Sequence, residues 1–135
     1  MPFPIDIIYI NETENKLNTT FPELYKNRML KMNGGDIETN KDEWQLFPFF
    51  DKSDKKRIKR TCNHIALETQ QARKWANFPK EAIAIASNGF GDLLFLHPVK
   101  ESDNKLGENI YLWLHENGNI KKLADSINQL ENNTL

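Results

Sequence analysis

Apolar positions near the start of the chain follow a helical period. Four of them recur at steps of three or four residues: Phe21, Tyr25, Met29 and Met32. This spacing gathers side chains on one face of a helix, and Leu24 widens the stripe. The segment Thr20–Glu23 has the form of a capping box, and Asn33-Gly34-Gly35 supplies a left-handed stop. The pattern predicts a helix between these two signals.

A second helical period occupies the middle of the chain. Between Cys62 and Ala76 the repeating positions are Ile65, Thr69, Ala72, Trp75 and Ala76. The residue before a proline is pushed out of the helical region, so Phe78-Pro79 closes the segment. We predict a helix over 62–76 with Trp75 in the core.

Shorter apolar segments bounded by turn residues predict strands, and the clearest period of two is at Ala82–Ala86. They are Asp36–Glu38, Trp44–Phe47, Ala82–Ala86, Asp92–Leu96, Asn109–His115 and Ile120–Ala124. Polar turn residues connect three pairs of them: Thr39–Asp42, Asn88-Gly89 and Asn117–Asn119. Asp125 can cap a short final helix that carries Ile127 and Leu130.

Helices at the start, middle and end, with hairpin-linked strands between them, indicate an α+β fold. Strands joined by such short turns cannot be parallel, because a parallel pair needs a crossover of about a dozen residues. We therefore expect a mainly antiparallel sheet of about five to six strands covered by helices. The length of 135 residues fits a single domain over 1–135, with its core at about 12–130.

Composition narrows the classes of function. The formal net charge of −1 gives no field toward nucleic acid or an anionic membrane, so we expect no direct nucleic-acid partner. The single cysteine, Cys62, cannot form an internal disulfide, which favours a reducing, cytoplasmic location. The apolar run near the start, Ile7–Ile10, is far below the roughly 20 residues of a membrane span, so no membrane association is expected.

A search for catalytic chemistry yields no site. The three histidines, His64, His97 and His115, have no second ligand at zinc-site spacing, so we expect no metal. His115-Glu116 begins a zinc-protease motif, but Asn119 stands where the second histidine is needed. We expect His115 to be a strand-end histidine that bonds to a neighbour.

Two further segments have structural explanations. Gly89-Phe90-Gly91 lacks the third glycine of a dinucleotide fingerprint and leads into a strand, so it predicts a hairpin turn and no cofactor. Asp92 is expected to bond to turn amides. Cys62 has no nucleophile signature, so we expect a small buried residue.

One marked charge block occurs, with Lys52, Lys55, Lys56, Arg57, Lys59 and Arg60. It could hold phosphates or an acidic partner surface. Asp51 and Asp54 interrupt it and no aromatic residue lies within it. The more ordinary interpretation is a solvated loop before a helix.

Several motifs occur together in a recognisable order. They are Phe21–Tyr25, Asn33–Gly35, Trp44–Pro48, Ile83–Asp92 and Tyr111–Glu116. In this combination and spacing, over about 12–130, the chain resembles the SUKH superfamily, close to bacterial members related to the fungal cell-wall assembly regulators. The resemblance implies an α+β fold, no enzymatic activity, and for most bacterial members a role as an immunity protein against a polymorphic toxin, often a nuclease.

The resemblance gives two hypotheses on function. The first is a cytosolic immunity protein, or antitoxin, that neutralises a cognate toxin encoded by an adjacent gene through a stoichiometric complex. Candidate contact residues are Trp44, Phe49, Phe50, Asp92, Trp113 and Glu116, although core packing is at least as good an explanation for each aromatic. The second is a regulatory module that binds an endogenous cytosolic partner. Near-neutral charge departs from the acidic surfaces that commonly meet basic nucleases.

Overall fold

A computed structural model describes residues 2–39, 42–100 and 104–132. Within these ranges the helices are α1 (Ile7–Leu17), α2 (Glu23–Lys31), α3 (Lys55–Arg60), α4 (Ile65–Ala72) and α5 (Ile127–Asn132). The strands are β1 (Gly35–Glu38), β2 (Glu43–Leu46), β3 (Ile83–Ser87), β4 (Leu93–Leu96), β5 (Ile110–Trp113) and β6 (Ile120–Ala124).

The six strands form one sheet in the order β1-β2-β3-β4-β5-β6, and every neighbouring pair is antiparallel. This confirms the predicted α+β class and all six predicted strands. In such a meander the last residues of β1, β3 and β5 and the first residues of β2, β4 and β6 all lie at one end of the sheet. We call this the hairpin end. The long connection from β2 to β3, which carries α3 and α4, begins at the opposite end.

Helix α4 packs on the central strand β3 through small residues. The alternation of isoleucine and alanine in β3 leaves room for the helix, and residues 82–86 are all buried. The Thr69 hydroxyl accepts a hydrogen bond from the amide of Ala84 at 3.0 Å. The register of β3 with β4 shifts between Ala84 and Ala86. Thr69 therefore satisfies a backbone group beside this irregularity.

Aromatic side chains fill the core in two groups. On the helical side, Phe21 lies edge-on to Phe49 with ring centroids 4.9 Å apart, and Tyr25 is 6.2 Å from the same ring. The second group packs against β4 and β5, where the ring centroid of Phe78 lies 5.8 Å from that of Phe95 and 5.5 Å from that of Trp113. Edge-to-face contacts of this kind add to the burial of apolar area.

The first helices differ from the sequence prediction. Helix α1 was not predicted; it begins after Asp6, whose carboxylate accepts a hydrogen bond from the amide of Ile8 at 3.0 Å. Helix α2 begins at Glu23, and its N-cap, Pro22, makes no side-chain capping bond, so the predicted capping box is wrong. The predicted stripe is buried at Phe21, Tyr25 and Met29, but Leu24 is 40% exposed and does not widen it.

The middle helical region also needs correction. Helix α4 starts later than predicted, because His64 is its N-cap, and it ends at Ala72. Cys62 lies in the turn before α4 and is exposed, not buried. Trp75 lies beyond the helix and is 47% exposed, so its assignment to the core is wrong. The basic run forms helix α3 where a loop was expected.

Candidate functional site

Three of the predicted contact residues lie in the core. The exposed fractions of Trp44, Phe49 and Trp113 are 1%, 0% and 2%. The indole nitrogen of Trp44 donates to the Thr39 hydroxyl at 3.3 Å, and that of Trp113 donates to the carbonyl oxygen of Asn77 at 3.1 Å. Their polar atoms are thus paired inside the protein. These side chains cannot reach a partner without local unfolding, which removes them from the candidate contact set.

Phe50 is half-buried and lies beyond β2, away from the hairpin end. Its ring stacks on the His64 imidazole, with centroids 4.4 Å apart. The Nδ1 atom of His64 accepts a hydrogen bond from the amide of Leu67 at 3.3 Å. Burial, reinforced by the nearby charge of Lys16, lowers the pKa of His64. Phe50 therefore supports the start of α4 and does not adjoin the other candidates.

The hairpin end brings together Asp92 and Glu116, which the sequence places 24 positions apart. Asp92 closes the β3–β4 loop, and Glu116 is exposed in the β5–β6 turn. The two loops are joined through His115. One oxygen of the Asp92 carboxylate accepts a hydrogen bond from the His115 amide at 3.1 Å and lies 2.7 Å from its Nδ1 atom.

The pair of Asp92 and His115 is a structural clamp. Burial raises the pKa of Asp92, but hydrogen bonds from His115 and Asn88 outweigh it and hold this pKa below its ordinary value. The carboxylate is therefore ionised near neutral pH and unsuited to act as an acid. His115 bonds to a neighbour, as its sequence position predicted. The Asp92 carboxylate accepts from the backbone amide of His115 in the next hairpin and, within its own loop, from the side-chain amide of Asn88.

The β3–β4 loop is held open by the side chain of Asn88. Its Oδ1 atom accepts from the amides of Phe90 and Asp92 at 2.9 and 3.3 Å, and its Nδ2 atom donates to Asp92 at 3.0 Å. Gly91 has a φ of +103°, and a Cβ atom there would lie 3.0 Å from the His115 ring. The predicted hairpin is confirmed, but its loop has five residues, 88–92, instead of the two that Asn-Gly turns use.

The tip of this loop carries an aromatic residue that was not among the predicted contact residues. Phe90 is 77% exposed at the tip of the loop. The ring of Trp75 is tilted against buried Trp113, with centroids 5.3 Å apart, and 47% of the Trp75 surface is exposed. Phe90 lies between two glycines in a segment that looked like a turn alone. Its flanking glycines were a signal that the loop turns sharply around one large side chain.

Two acidic residues line a groove beside Phe90. A groove of about 480 Å³ is lined by Phe90 and the neighbouring loop together with Asp36, Glu43 and Gln45. The Asn88 amide also reaches Asp42 at 3.4 Å, which connects the first turn to this loop. Neither the segment 88–92 nor the segment 114–119 contains a lysine or arginine. The hairpin end thus combines one exposed aromatic ring with an acidic border; Lys41 falls outside the described residues.

The described residues offer no cluster of three or more side chains suited to hold a metal ion. Over the same ranges, each helix is too short or too polar to cross a lipid bilayer.

Comparison with known families identifies a match over most of the chain. The model of the SMI1 / KNR4 family (SUKH-1) matches residues 4–133. A search among curated proteins finds no match to the chain. The match covers nearly the whole sequence, including both hairpins that form the candidate surface.

Proposed function

Because the chain belongs to the SMI1 / KNR4 family (SUKH-1), we propose that it is a cytoplasmic immunity protein that neutralises a cognate toxin by forming a stoichiometric complex. The resemblance of the chain's motifs to the SUKH superfamily implies this role for most bacterial members of that superfamily. The observation that carries the proposal is the exposed Phe90 within the acidic border of the hairpin end. The toxin is encoded by an adjacent gene.

The hairpin end suits a basic partner. Exposed aromatic side chains that enter a pocket of the partner often supply most of the binding free energy, so Phe90 is the anchor. Carboxylates around it steer a positively charged surface and fix its orientation. Asp92 and Glu116 belong to this border. A basic toxin, such as a nuclease domain, has the complementary charge despite the near-neutral charge of the whole chain.

Binding itself is the mechanism. The clamp of Asp92 and His115 and the bonds of Asn88 hold the loop in one conformation before the partner arrives. Preorganisation of this kind lowers the entropy cost of association. An interface of standard size buries about 1,200 to 2,000 Å² and would cover the toxin's active site or its substrate path.

Co-expression with the product of the adjacent toxin gene tests the proposal. We expect cells to survive with the native chain and the two proteins to copurify at a one-to-one ratio. Phe90→Ala should weaken the complex about 30-fold, the equivalent of roughly 2 kcal/mol for an anchor residue. Its unfolding midpoint should hardly change, because the side chain is already exposed.

Ile8→Ala is the matched control, since Ile8 is an exposed apolar residue on α1. It should leave neutralisation intact. Death of cells that express both native proteins would refute the immunity role. Full affinity of the Phe90→Ala variant would instead show that the toxin contacts a different surface of the chain. If no toxin gene adjoins and an endogenous protein copurifies, the regulatory alternative is correct.

A further inference from the structure

A second charged surface lies at the other end of the sheet. Six cationic side chains occur within nine residues on and just before α3: Lys52, Lys55, Lys56, Arg57, Lys59 and Arg60. No residue of this helix is buried, and its single apolar residue, Ile58, is 39% exposed. The helix therefore contributes little to the core. We call this set the basic surface.

The ring of Phe3 organises three of these cations. The guanidinium carbons of Arg57 and Arg60 lie 4.7 and 4.6 Å from its centroid, and the ammonium of Lys56 lies 5.8 Å away. Cation–π contacts attract all three charges to one point although they repel each other. This arrangement is unlike a solvated face, in which long cationic side chains spread apart.

The acidic residues of the same segment are engaged with the backbone. The Asp54 carboxylate accepts from the amide of Arg57 at 2.8 Å and caps α3, and the Asp51 carboxylate accepts from the amide of Ser53 at 3.0 Å. Lys52 forms an exposed ion pair with Glu12 at 3.1 Å. The local carboxylates thus stabilise the fold of the segment, and positive charge dominates its exposed side.

A polar groove adjoins this surface. Its volume is about 250 Å³, and its lining includes Phe3, Arg57 and Arg60 on one side and the Gly34-Gly35 turn on the other. It lies where β1 starts and β2 ends, and the hairpin end lies at the other ends of these four-residue strands; Asp36 and Gln45, in between, line both this groove and the one beside Phe90. The near-neutral net charge of the chain conceals this separation of charge.

We propose that the basic surface binds an acidic segment of a partner protein, with the guanidinium groups of Arg57 and Arg60 receiving carboxylates. A planar guanidinium matches a carboxylate through two parallel hydrogen bonds, and an aromatic ring beneath it fixes its plane. A helix of six residues is about 9 Å long, which suits a few acidic side chains. This contact is separate from the one assigned to the toxin.

Nucleic acid fits the surface less well. The aromatic ring of the patch is covered by cations, so it does not provide a platform on which bases can stack. The patch is also short compared with the track that a phosphate backbone follows, and the acidic hairpin end would repel a strand that extended past it.

Fluorescence anisotropy with a labelled glutamate-rich peptide tests the proposal on the whole chain. We expect saturable binding at about 20 mM salt that weakens strongly at about 150 mM, where the Debye length is near 8 Å. Lys55→Glu with Lys59→Glu should reduce the affinity about ten-fold or more, since like charges then face the peptide. Arg57→Lys with Arg60→Lys should also reduce it although charge is kept.

The control pair Lys74→Glu with Lys121→Glu makes the same change in net charge on other faces and should leave the affinity near that of the native chain. An equal loss in this control would overturn the proposal, as would an absence of saturable binding at low salt. A labelled single-stranded DNA of similar length is the second probe. Tighter binding of that DNA than of the peptide would assign the surface to nucleic acid instead.

Discussion

At the scale of single residues, polar side chains that reach the backbone hold this fold together. Asn33 shows this clearly, because it is buried and forms a two-bond clamp on the segment after β2. Its Nδ2 atom donates to the carbonyl oxygen of Phe49 at 2.9 Å, and its Oδ1 atom accepts from the amide of Phe49 at 2.8 Å. Phe49 is fully buried, so these two backbone groups depend on Asn33 for partners.

Asn33→Ala should therefore destabilise the protein by about 2 to 3 kcal/mol, because the change strands a buried donor and a buried acceptor. Denaturant-induced unfolding measures the free energy. The control Asn27→Ala alters an exposed asparagine of α2 and should change it by less than about 0.5 kcal/mol. Equal stabilities of the two variants would show that water or a shifted backbone satisfies Phe49.

At the scale of elements, the start of α4 depends on one ionisable cap. His64 accepts the hydrogen bond of the Leu67 amide, which it can do only when its Nδ1 atom carries no proton. Burial and the charge of Lys16 lower its pKa in the folded state. The unfolded chain then binds a proton more readily than the folded one. Stability attributable to His64 is fully present above the ordinary pKa of 6.5 and is lost as the pH falls below it.

We expect the unfolding free energy to decrease as the pH falls from neutrality through 6.5. His64→Asn is the informative variant, because asparagine is a preferred N-cap and does not titrate in this range. The difference in stability between this variant and the native chain should shift in favour of the variant on acidification. A difference that stays constant with pH would show that His64 does not link protonation to folding.

The elements also show how far the sequence could predict this fold and its site. The turn residues at the strand ends allowed every strand to be predicted, and the alternation of isoleucine and alanine supported β3. Helix α3 has no buried face, so it left no period to detect. Trp75 was wrongly assigned to the core because its packing partner, Trp113, lies in a strand 38 positions later in the sequence. The clamp of Asp92 and His115 likewise joins two hairpins, and pairing between hairpins is not encoded in local spacing.

At the scale of the whole molecule, one cation ties helix α2 to helix α5. Arg28 on α2 donates to the carbonyl oxygens of Met32 and Gly34 and forms a two-pronged ion pair with Glu131 on α5, at 2.9 and 3.2 Å. Its side chain is 8% exposed. Helix α5 is thereby fastened beside β1, the strand that borders the groove of the basic surface.

Arg28→Lys keeps the charge but cannot serve all of these acceptors, so it should cost about 2 to 3 kcal/mol of stability. The loss of protection should differ between elements. Amide hydrogens of α5 should exchange with solvent much faster than in the native chain. Amide hydrogens of β3 and β4, in the centre of the sheet, should exchange faster only by the factor that the lower global stability predicts. The control Lys31→Ala, on the exposed side of α2, should leave both sets near their native rates. If α5 and the central strands lose protection to the same degree in Arg28→Lys, the ion pair supports the whole fold cooperatively and does not act as a local fastening of the C-terminal helix.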